Sequence, residues 1–270
     1  MRGTSRASLE AVEHRFVPAF RTVGAEARTT ADELFALVDA LDSSGSLRRT
    51  LADPSIDGDP KAALVARLLD GAAPRTVEVA QALVRSRWSA DADLAEAVER
   101  LAFTALLGSA ESEGGLVQVE AELFEIVRAL AGQREVRRYL LDDQYPAQAR
   151  GELAERLLGD KVHPVTLAVA RRAAVAPRGR RYVVTLQRVG DIIAELRSTE
   201  IATVVSAAPL TASQSERLGD LLGRALGRTG QVNVVVEPDV GGGLRVQAGA
   251  DVIDATVLSR LADARRQLAG

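Results

Sequence analysis

Between Thr30 and about Gly114, apolar residues recur every three or four positions, which is the spacing of amphipathic helices. The first stripe consists of Leu34, Leu37, Val38 and Leu41. Thr30 and Glu33 have the spacing of a capping box, which predicts that this helix begins at Thr30. The small polar residues at positions 43–45 predict its end.

Proline and aspartate residues divide the rest of this stretch into further short helices. Helices are predicted through Leu47 and Leu51, from Asp59-Pro60, from Pro74 to Trp88, and from Asp91 to about Gly108. Each carries one apolar stripe with polar residues on its other faces, which is typical of a helical bundle. We expect no sheet in this part of the chain.

The same order of features returns 89 residues later. The matching pairs are Glu33-Leu34-Phe35 with Glu122-Leu123-Phe124, Ala40-Leu41 with Ala129-Leu130, Arg48-Arg49 with Arg137-Arg138, and Leu68-Leu69 with Leu157-Leu158. A slip of one residue then aligns Pro74 with Pro164. This offset predicts a duplicated bundle rather than a solenoid, whose repeats are shorter. We expect an extra bundle at residues 1–110 and a second at residues 98–196, joined by a shared helix.

After Leu196 the period changes to that of strands and turns. Strands are predicted around Ile201, Thr203 and Val205, at Val232–Val236 and at Leu244–Ala248, with turns at Pro238–Gly243 and Gly249–Asp251. Helices are predicted from the capping box of Thr211 and Gln214 and from Thr256. The chain is therefore predicted to be mainly α, with two related bundles followed by a small β-α-β-β-α module at residues 197–270.

The glycine run of Gly241, Gly242 and Gly243 is not followed by the Lys-Ser/Thr pair and helix of a phosphate-binding loop. A strand follows instead, so we interpret the run as a tight hairpin that needs positive φ angles or a close backbone approach. The segment Gly227–Gly230 has the spacing of an RNA-binding GXXG loop. It lies between a helix and a strand, which favours a helix C-cap.

Composition and charge exclude several function classes. The chain has 34 Lys and Arg against 37 Asp and Glu, a formal charge of -3, which disfavours nucleic acid as a partner. It has no cysteine, which excludes disulfides and thiolate catalysis and suits a reducing cytoplasm. No stretch approaches the roughly 18 apolar residues of a membrane span. The low aromatic content, 3%, favours helix cores of Ala, Leu and Val.

Candidate catalytic and metal-binding residues are few. His14 and His163 are the only histidines, and neither has a second histidine four residues away. Asp142-Asp143 lies in a predicted loop, where capping and solvation are the usual roles of carboxylates. No G-x-S-x-G nucleophile motif occurs. We expect no catalytic residue, no metal and no cofactor.

Three arginine clusters remain as candidate contact residues: Arg134/Arg137/Arg138, Arg171/Arg172 and Arg178/Arg180/Arg181. They lack the interleaved aromatic residues of a single-strand nucleic-acid binder. Solvated faces or protein contacts are therefore the favoured interpretations. The last cluster follows Pro177 in a predicted interhelix loop, a position that suits an acidic partner helix as well as solvent.

The C-terminal third resembles a known family over about 70 residues. The stretches that carry the resemblance are Val204–Thr211, Glu237–Val246, Gly249–Thr256 with Asp254 inside it, and Ser259–Leu261. They resemble the C-terminal domain of the delta subunit of bacterial F-type ATP synthase, the counterpart of the mitochondrial oligomycin-sensitivity-conferring protein. The helices of residues 98–196 resemble the six-helix bundle of that family. The extra N-terminal bundle and Val84–Trp88 resemble the lengthened actinobacterial form.

The resemblance implies a non-catalytic stator protein at the top of the peripheral stalk. The helical part would hold the N-terminal segments of the alpha subunits, and the C-terminal domain would hold the b-type stalk subunit. The location would be peripheral, on the cytoplasmic face of the bacterial cell membrane. Two alternatives are a helical scaffold unrelated to ATP synthase and, more weakly, an enzyme that binds nucleotide through the glycine run.

Overall fold

The computed structural model divides the chain into two compact units, Met1–Asp191 and Ile192–Gly270. It describes all residues except 2, 142–143, 199–200, 212, 216, 219–220, 222–230, 238–241, 249–250, 255 and 257–270. The first unit contains the predicted bundle of residues 1–110 and all but the last five residues of the predicted bundle of residues 98–196. The predicted division between the two bundles stays a prediction.

Eleven α-helices are described from the N-terminus to Ser198. They are α1 (Gly3–Phe20), α2 (Gly24–Ser43), α3 (Gly45–Ala52), α4 (Gly58–Leu68), α5 (Pro74–Arg85), α6 (Asp91–Ser112), α7 (Leu116–Leu130), α8 (Arg134–Leu141), α9 (Ala147–Leu158), α10 (Pro164–Val175) and α11 (Tyr182–Ser198). A short 3-10 turn, Gly159–Lys161, follows α9. In the described part of the chain, no helix is long and apolar enough to cross a bilayer.

The core of the first unit is built around α6. Nearly every side chain of α6 between Leu94 and Ala110 is buried, because this stretch of α6 carries mostly apolar and small residues on all of its faces. It contacts helices that precede it in the chain, α1, α2, α3 and α5, as well as α7 and α10, which follow it. The helix α6 therefore contacts helices on both sides of it in the chain, and the predicted sharing of one helix by two bundles stays a prediction.

Three helix starts differ from the sequence prediction. The helix predicted from Thr30 begins six residues earlier, at Gly24, and Thr30 is buried within it. The helix predicted from Asp59-Pro60 begins at Gly58, preceded by Asp57. The first helix, α1, had no prediction, although its buried residues recur every three or four positions at Leu9, Val12, Phe16 and Phe20. The starts at Pro74 and Asp91 are confirmed.

The second unit contains a four-stranded sheet of β1 (Ile201–Ser206), β2 (Gln231–Val236), β3 (Leu244–Ala248) and β4 (Asp251–Asp254), in the order β2-β1-β3-β4. The central strand β1 pairs in parallel with β2, Ile201 opposite Gln231, and antiparallel with β3, Ser206 opposite Leu244. A parallel pair needs a crossover connection, and residues 213–215, 217–218 and 221 within that connection are helical. Val204 and Val246 lie opposite each other and form the buried core of this unit.

Two details of the predicted β-α-β-β-α module are wrong. The predicted turn at Gly249–Asp251 is followed at once by a fourth strand, β4, which forms a hairpin with β3. The strands β2 and β3 are not hairpin partners, because β1 lies between them. The three predicted strands are confirmed, and the predicted final helix lies outside the described residues apart from Thr256.

Candidate partner-binding surfaces

The arginines after α10 bind carboxylates of their own chain. Arg178 lies 2.6 Å from a carboxylate oxygen of Asp42 on α2 and 2.9 Å from one of Glu99 on α6. Arg180 also pairs with Glu99, whose side chain is only 2% exposed. These residues form an ionic cluster between α2, α6 and the loop that follows Pro177. Arg178 and Arg180 therefore contact carboxylates of this chain, and the contact of this cluster with an acidic partner helix stays a prediction.

Opposite charges set the protonation states in this cluster. Burial alone would lower the pKa of Arg178, but the hydrogen bond from its guanidinium to Asp42 and the charge of Glu99 outweigh burial and raise it. Burial alone would raise the pKa of Glu96, yet the hydrogen bond from Arg188 and the charges of Arg188 and Arg180 lower it. Arg178 and Glu96 are therefore both ionised at neutral pH.

Arg172 on α10 forms a second contact with α2. Its guanidinium donates two hydrogen bonds to the carboxylate of Asp39, at 2.7 and 2.9 Å, and lies 4.7 Å from the centre of the Phe35 ring. The edge of Phe35 also meets the ring of Phe103 on α6 at a centroid distance of 5.0 Å. This cation–π and edge-to-face geometry covers Phe35, which is 7% exposed.

Elsewhere in the first unit, two glutamates each cap the start of a different helix. Glu33 on α2 accepts hydrogen bonds from the backbone N–H of Ala73 and the hydroxyl of Thr76, at the start of α5. This contact, and not the predicted capping box with Thr30, is the role of Glu33. A carboxylate at this position satisfies backbone donors that have no partner within α5 and interacts favourably with the positive end of the helix dipole.

The same arrangement recurs at α10. Glu122 on α7 accepts hydrogen bonds from the backbone N–H of His163, at 2.8 Å, and from the hydroxyl of Thr166, at 2.6 Å. The imidazole of His163 in turn accepts a hydrogen bond from the backbone N–H of Val165 at 3.2 Å, so this histidine caps the helix. No cluster of three potential metal ligands is found among the residues that the structure describes.

Glu122→Gln should reduce the pH dependence of stability. Burial alone would raise the pKa of Glu122, but hydrogen bonds from Thr166, Gln118 and the His163 N–H outweigh burial and hold the pKa below 4.5. A lowered folded-state pKa means that the carboxylate stabilises the fold above pH 4.5, and that this contribution is lost as the pH falls through the folded-state value.

We expect Glu122→Gln to lower the free energy of unfolding by about 1 kcal/mol at neutral pH. Between about pH 6 and pH 3, the free energy of unfolding of this variant should fall less than that of the wild type. Urea unfolding across this range measures the effect. The exposed Glu125→Gln is the matched control on the same helix, and it should keep the wild-type slope. Equal slopes for all three proteins would contradict this role of Glu122.

The outer face of α7 carries an exposed apolar stripe. Val117 is 64% exposed and Phe124 is 66% exposed, and Ala121 between them is also exposed. The spacing of four and then three residues places these side chains on one face of the helix. Among the predicted arginine clusters, Arg134 lies exposed at the start of α8, beyond the end of this stripe.

The sheet unit has its own exposed apolar residues. Val235 is 37% exposed and Val236 is 42% exposed, at the end of β2, an edge strand of the sheet. The backbone of Gly242 has φ 131° and that of Gly243 has φ 83°, immediately before β3. Gly241 lies outside the described residues. Asp254 ends β4 in register with Arg245 of β3.

Comparison with known proteins shows which family the chain is similar to. The family model described as ATP synthase delta (OSCP) subunit matches residues 103–268, more than half of the chain. The chain belongs to the ATP synthase delta (OSCP) subunit family. The match begins within α6 and extends through the sheet unit, so the resemblance predicted from the C-terminal stretches is confirmed.

Relatives within the delta-subunit family extend this similarity to the first helices. A Beutenbergia cavernae protein called ATP synthase subunit delta is 48% identical over 271 residues and 100% of both chains. A Kineococcus radiotolerans protein of the same name is 44% identical over 269 residues, 99% of this chain and 98% of its own. A chain of the Toxoplasma gondii mitochondrial ATP synthase hexamer is 21% identical, covers 62% of this chain and 95% of its own, and has a TM-score of 0.33.

A delta-subunit family member is a non-catalytic structural component of the stator of F-type ATP synthase. This confirms the predicted function and decides against the unrelated scaffold and the nucleotide-binding enzyme. One sequence signal points to the ionic cluster. Glu99 stands beside the buried apolar residues Val98 and Leu101 of α6, and a carboxylate buried at such a position requires a cation nearby.

Proposed function

We propose that the helical unit of this delta subunit holds N-terminal segments of the alpha subunits, and that its sheet unit holds the end of the b-type stalk subunit. The protein would work at the cytoplasmic face of the cell membrane as a peripheral component. The observation that carries this proposal is the presence of two compact units, each with its own exposed apolar surface. An amphipathic helix of a partner can cover such a surface.

A stator must resist torque, so its helices must not slide past one another under load. The ionic cluster supports this role, because Arg178 joins α2 and α6 through two carboxylates at once. The buried α6, which contacts helices on both sides of it in the chain, adds a second rigid connection. Load received at one partner surface would therefore pass through the helical unit without repacking.

Gly242→Val should remove binding to the b subunit while leaving the alpha-subunit contact intact. A β-branched residue is strongly disfavoured at positive φ, and a strain of roughly 1–3 kcal/mol would fall on the small sheet unit. We expect a loss of affinity of at least about tenfold for a soluble b-subunit segment, measured by calorimetry on the full chain. Circular dichroism should show that most of the helix is retained.

Gly71→Val is the matched control, because Gly71 has a φ of 85° in the helical unit and no atom lies within 4 Å of an added Cβ. It carries a similar backbone strain but should leave binding of the b segment unchanged. Undiminished b binding by Gly242→Val would contradict the assignment of this partner to the sheet unit. Loss of the alpha segment in that variant would contradict the division between the units.

The helical unit is also proposed to be a duplication, with repeats at residues 1–110 and 98–196 and the sheet unit at 197–270. The two helix caps support this, because Glu33 and Glu122 are 89 residues apart and have the same kinds of partner. Each glutamate accepts one hydrogen bond from the backbone N–H of the residue before a proline and another from the hydroxyl of a buried threonine. Lys61 and Arg150, separated by the same 89 residues, are both buried cations, 4% and 5% exposed.

A further inference from the structure

The loop between α10 and α11 contains a tight turn with an unusual backbone. The backbone N–H of Arg180 donates a hydrogen bond to the carbonyl oxygen of Pro177 at 2.9 Å, which closes a four-residue turn. The two residues inside the turn, Arg178 and Gly179, have φ angles of 51° and 73°. Two successive positive φ angles are characteristic of a type I′ turn, the mirror image of the common type I turn.

Arginine is a poor residue for the first central position of such a turn. Type I′ turns favour Asn, Asp or Gly there, because the Cβ atom of most other residues crowds the backbone at positive φ. Within the described ranges of the chain, Arg178 is the only residue other than glycine with a positive φ. The same four residues also suit a type II turn, in which only the second central residue, here Gly179, needs a positive φ. An alternative turn without strain at Arg178 is therefore available.

Ion pairs outside the loop stabilise the strained turn. The guanidinium of Arg178 donates hydrogen bonds to the carboxylate of Asp42 at 2.6 and 3.2 Å, and it lies 2.9 Å from a carboxylate oxygen of Glu99. A change of φ at Arg178 from positive to negative would redirect the Cα–Cβ bond and with it the whole side chain. The contacts with α2 and α6 therefore depend on the strained form of the turn.

The turn also lies directly before α11. The carbonyl oxygen of Arg181, the residue after the turn, accepts a hydrogen bond from the backbone N–H of Thr185 at 3.1 Å in the first turn of α11. Arg180, the last residue of the turn, pairs with Glu99 on α6. The conformation of the turn therefore determines how firmly the start of α11 is attached to α6.

We propose that the turn Pro177–Arg180 is a two-state clasp at the start of α11. In the closed state it is a type I′ turn with Arg178 bound to Asp42 and Glu99. In the open state it is a type II turn with Arg178 in solvent. The ion pairs favour the closed state and the backbone strain favours the open one, so the charges on α2 and α6 set the balance. The clasp lies inside the helical unit and does not depend on which partner binds there.

Limited digestion of the full chain by trypsin tests the clasp, because the protease cuts after Arg178 only when this side chain has left its carboxylates. Asp42→Asn should accelerate this cut roughly tenfold, because a neutral amide binds a guanidinium more weakly than a carboxylate does. The rate reports the population of the open state when opening is fast relative to cleavage. The side chain of Asp42 is 35% exposed near the end of α2, so the variant should fold.

Glu155→Gln is the matched control. Glu155 pairs with Arg171 at 2.6 Å, and both side chains are 47% exposed, so this pair holds no strained turn. The control should be cut after Arg178 at the wild-type rate, which mass spectrometry of the products measures bond by bond. An unchanged rate in Asp42→Asn would overturn the clasp. Equal acceleration at every arginine of the first unit would also overturn it, because the whole unit would then be unfolding.

Two substitutions of Arg178 separate the strain from the charge. Arg178→Ala and Arg178→Asn both remove the ion pairs, but asparagine tolerates a positive φ and alanine does not. The amides in the first turn of α11 should therefore exchange with solvent roughly fivefold faster in Arg178→Ala than in Arg178→Asn. Hydrogen exchange measured by mass spectrometry gives both rates. Equal rates would show that backbone strain does not favour opening, and they would overturn the two-state clasp.

Discussion

Glu99→Ala should lower the free energy of unfolding of the helical unit by roughly 3 kcal/mol. The side chain of Glu99 is 2% exposed and binds two arginines, Arg178 and Arg180. Its removal leaves these cations with less opposing charge in a partly buried site, and the cost of desolvating them is no longer compensated. Urea unfolding at neutral pH measures the difference.

The matched control is Asp59→Ala, which removes the partner of Arg85. That pair is 3.1 Å apart, with side chains 90% and 47% exposed, so its loss should cost less than about 1 kcal/mol. Added salt should weaken the exposed pair more than the cluster at Glu99, since buried charges are screened less. Equal costs for Glu99→Ala and Asp59→Ala would show that the cluster does not hold α2 and α6 to the loop after α10.

The helices could be predicted where local signals determine their ends. Pro74 and Asp91 begin helices as expected, because proline suits a first helical position and aspartate a first turn. The helix α1 had no prediction, and Pro18, a residue that normally argues against helix, stands in its last turn. Packing of Phe16 and Phe20 into the core outweighs this local preference.

The pairing within the ionic cluster could not be predicted, because the partners are distant in sequence. Arg178 and Asp42 are 136 residues apart, and the packing of both α2 and α10 against α6 brings them together. A run of arginines in a loop has the same local pattern whether it faces solvent or a carboxylate. The role of Glu33 was misassigned for the same reason, since its bonding partners lie 40 and 43 residues away.

The pairing of the strands could not be predicted from the sequence. Alternating residues predicted β1, and β-branched residues predicted β2, but neither pattern reveals which strands are neighbours. The glycine run therefore predicts a hairpin between β2 and β3, although β1 lies between these two strands in the sheet. The strand β4 was missed because it has four residues and begins and ends with aspartate, which is uncommon in strands.

Gly108→Ala should destabilise the helical unit by about 2 kcal/mol, although alanine is the better helix former. A Cβ atom added at Gly108 would lie 2.8 Å from the carbonyl oxygen of Phe20 and 2.9 Å from its carbonyl carbon. Both are backbone atoms at the end of α1, so they cannot move away by a change of rotamer. The two helices would have to separate where α1 packs against α6.

Gly190→Ala should have the opposite effect on the stability of the same unit. Gly190 also lies inside a helix, but no atom is within 4 Å of an added Cβ, so alanine should stabilise by up to about 1 kcal/mol. Thermal or urea unfolding of both variants shows directly whether each substitution stabilises or destabilises the protein. Because the intrinsic preference for alanine is the same at both positions, the difference between the variants measures the close approach of α1 and α6. Stabilisation by Gly108→Ala would contradict that approach, and with it the packing of α1 against the buried helix α6.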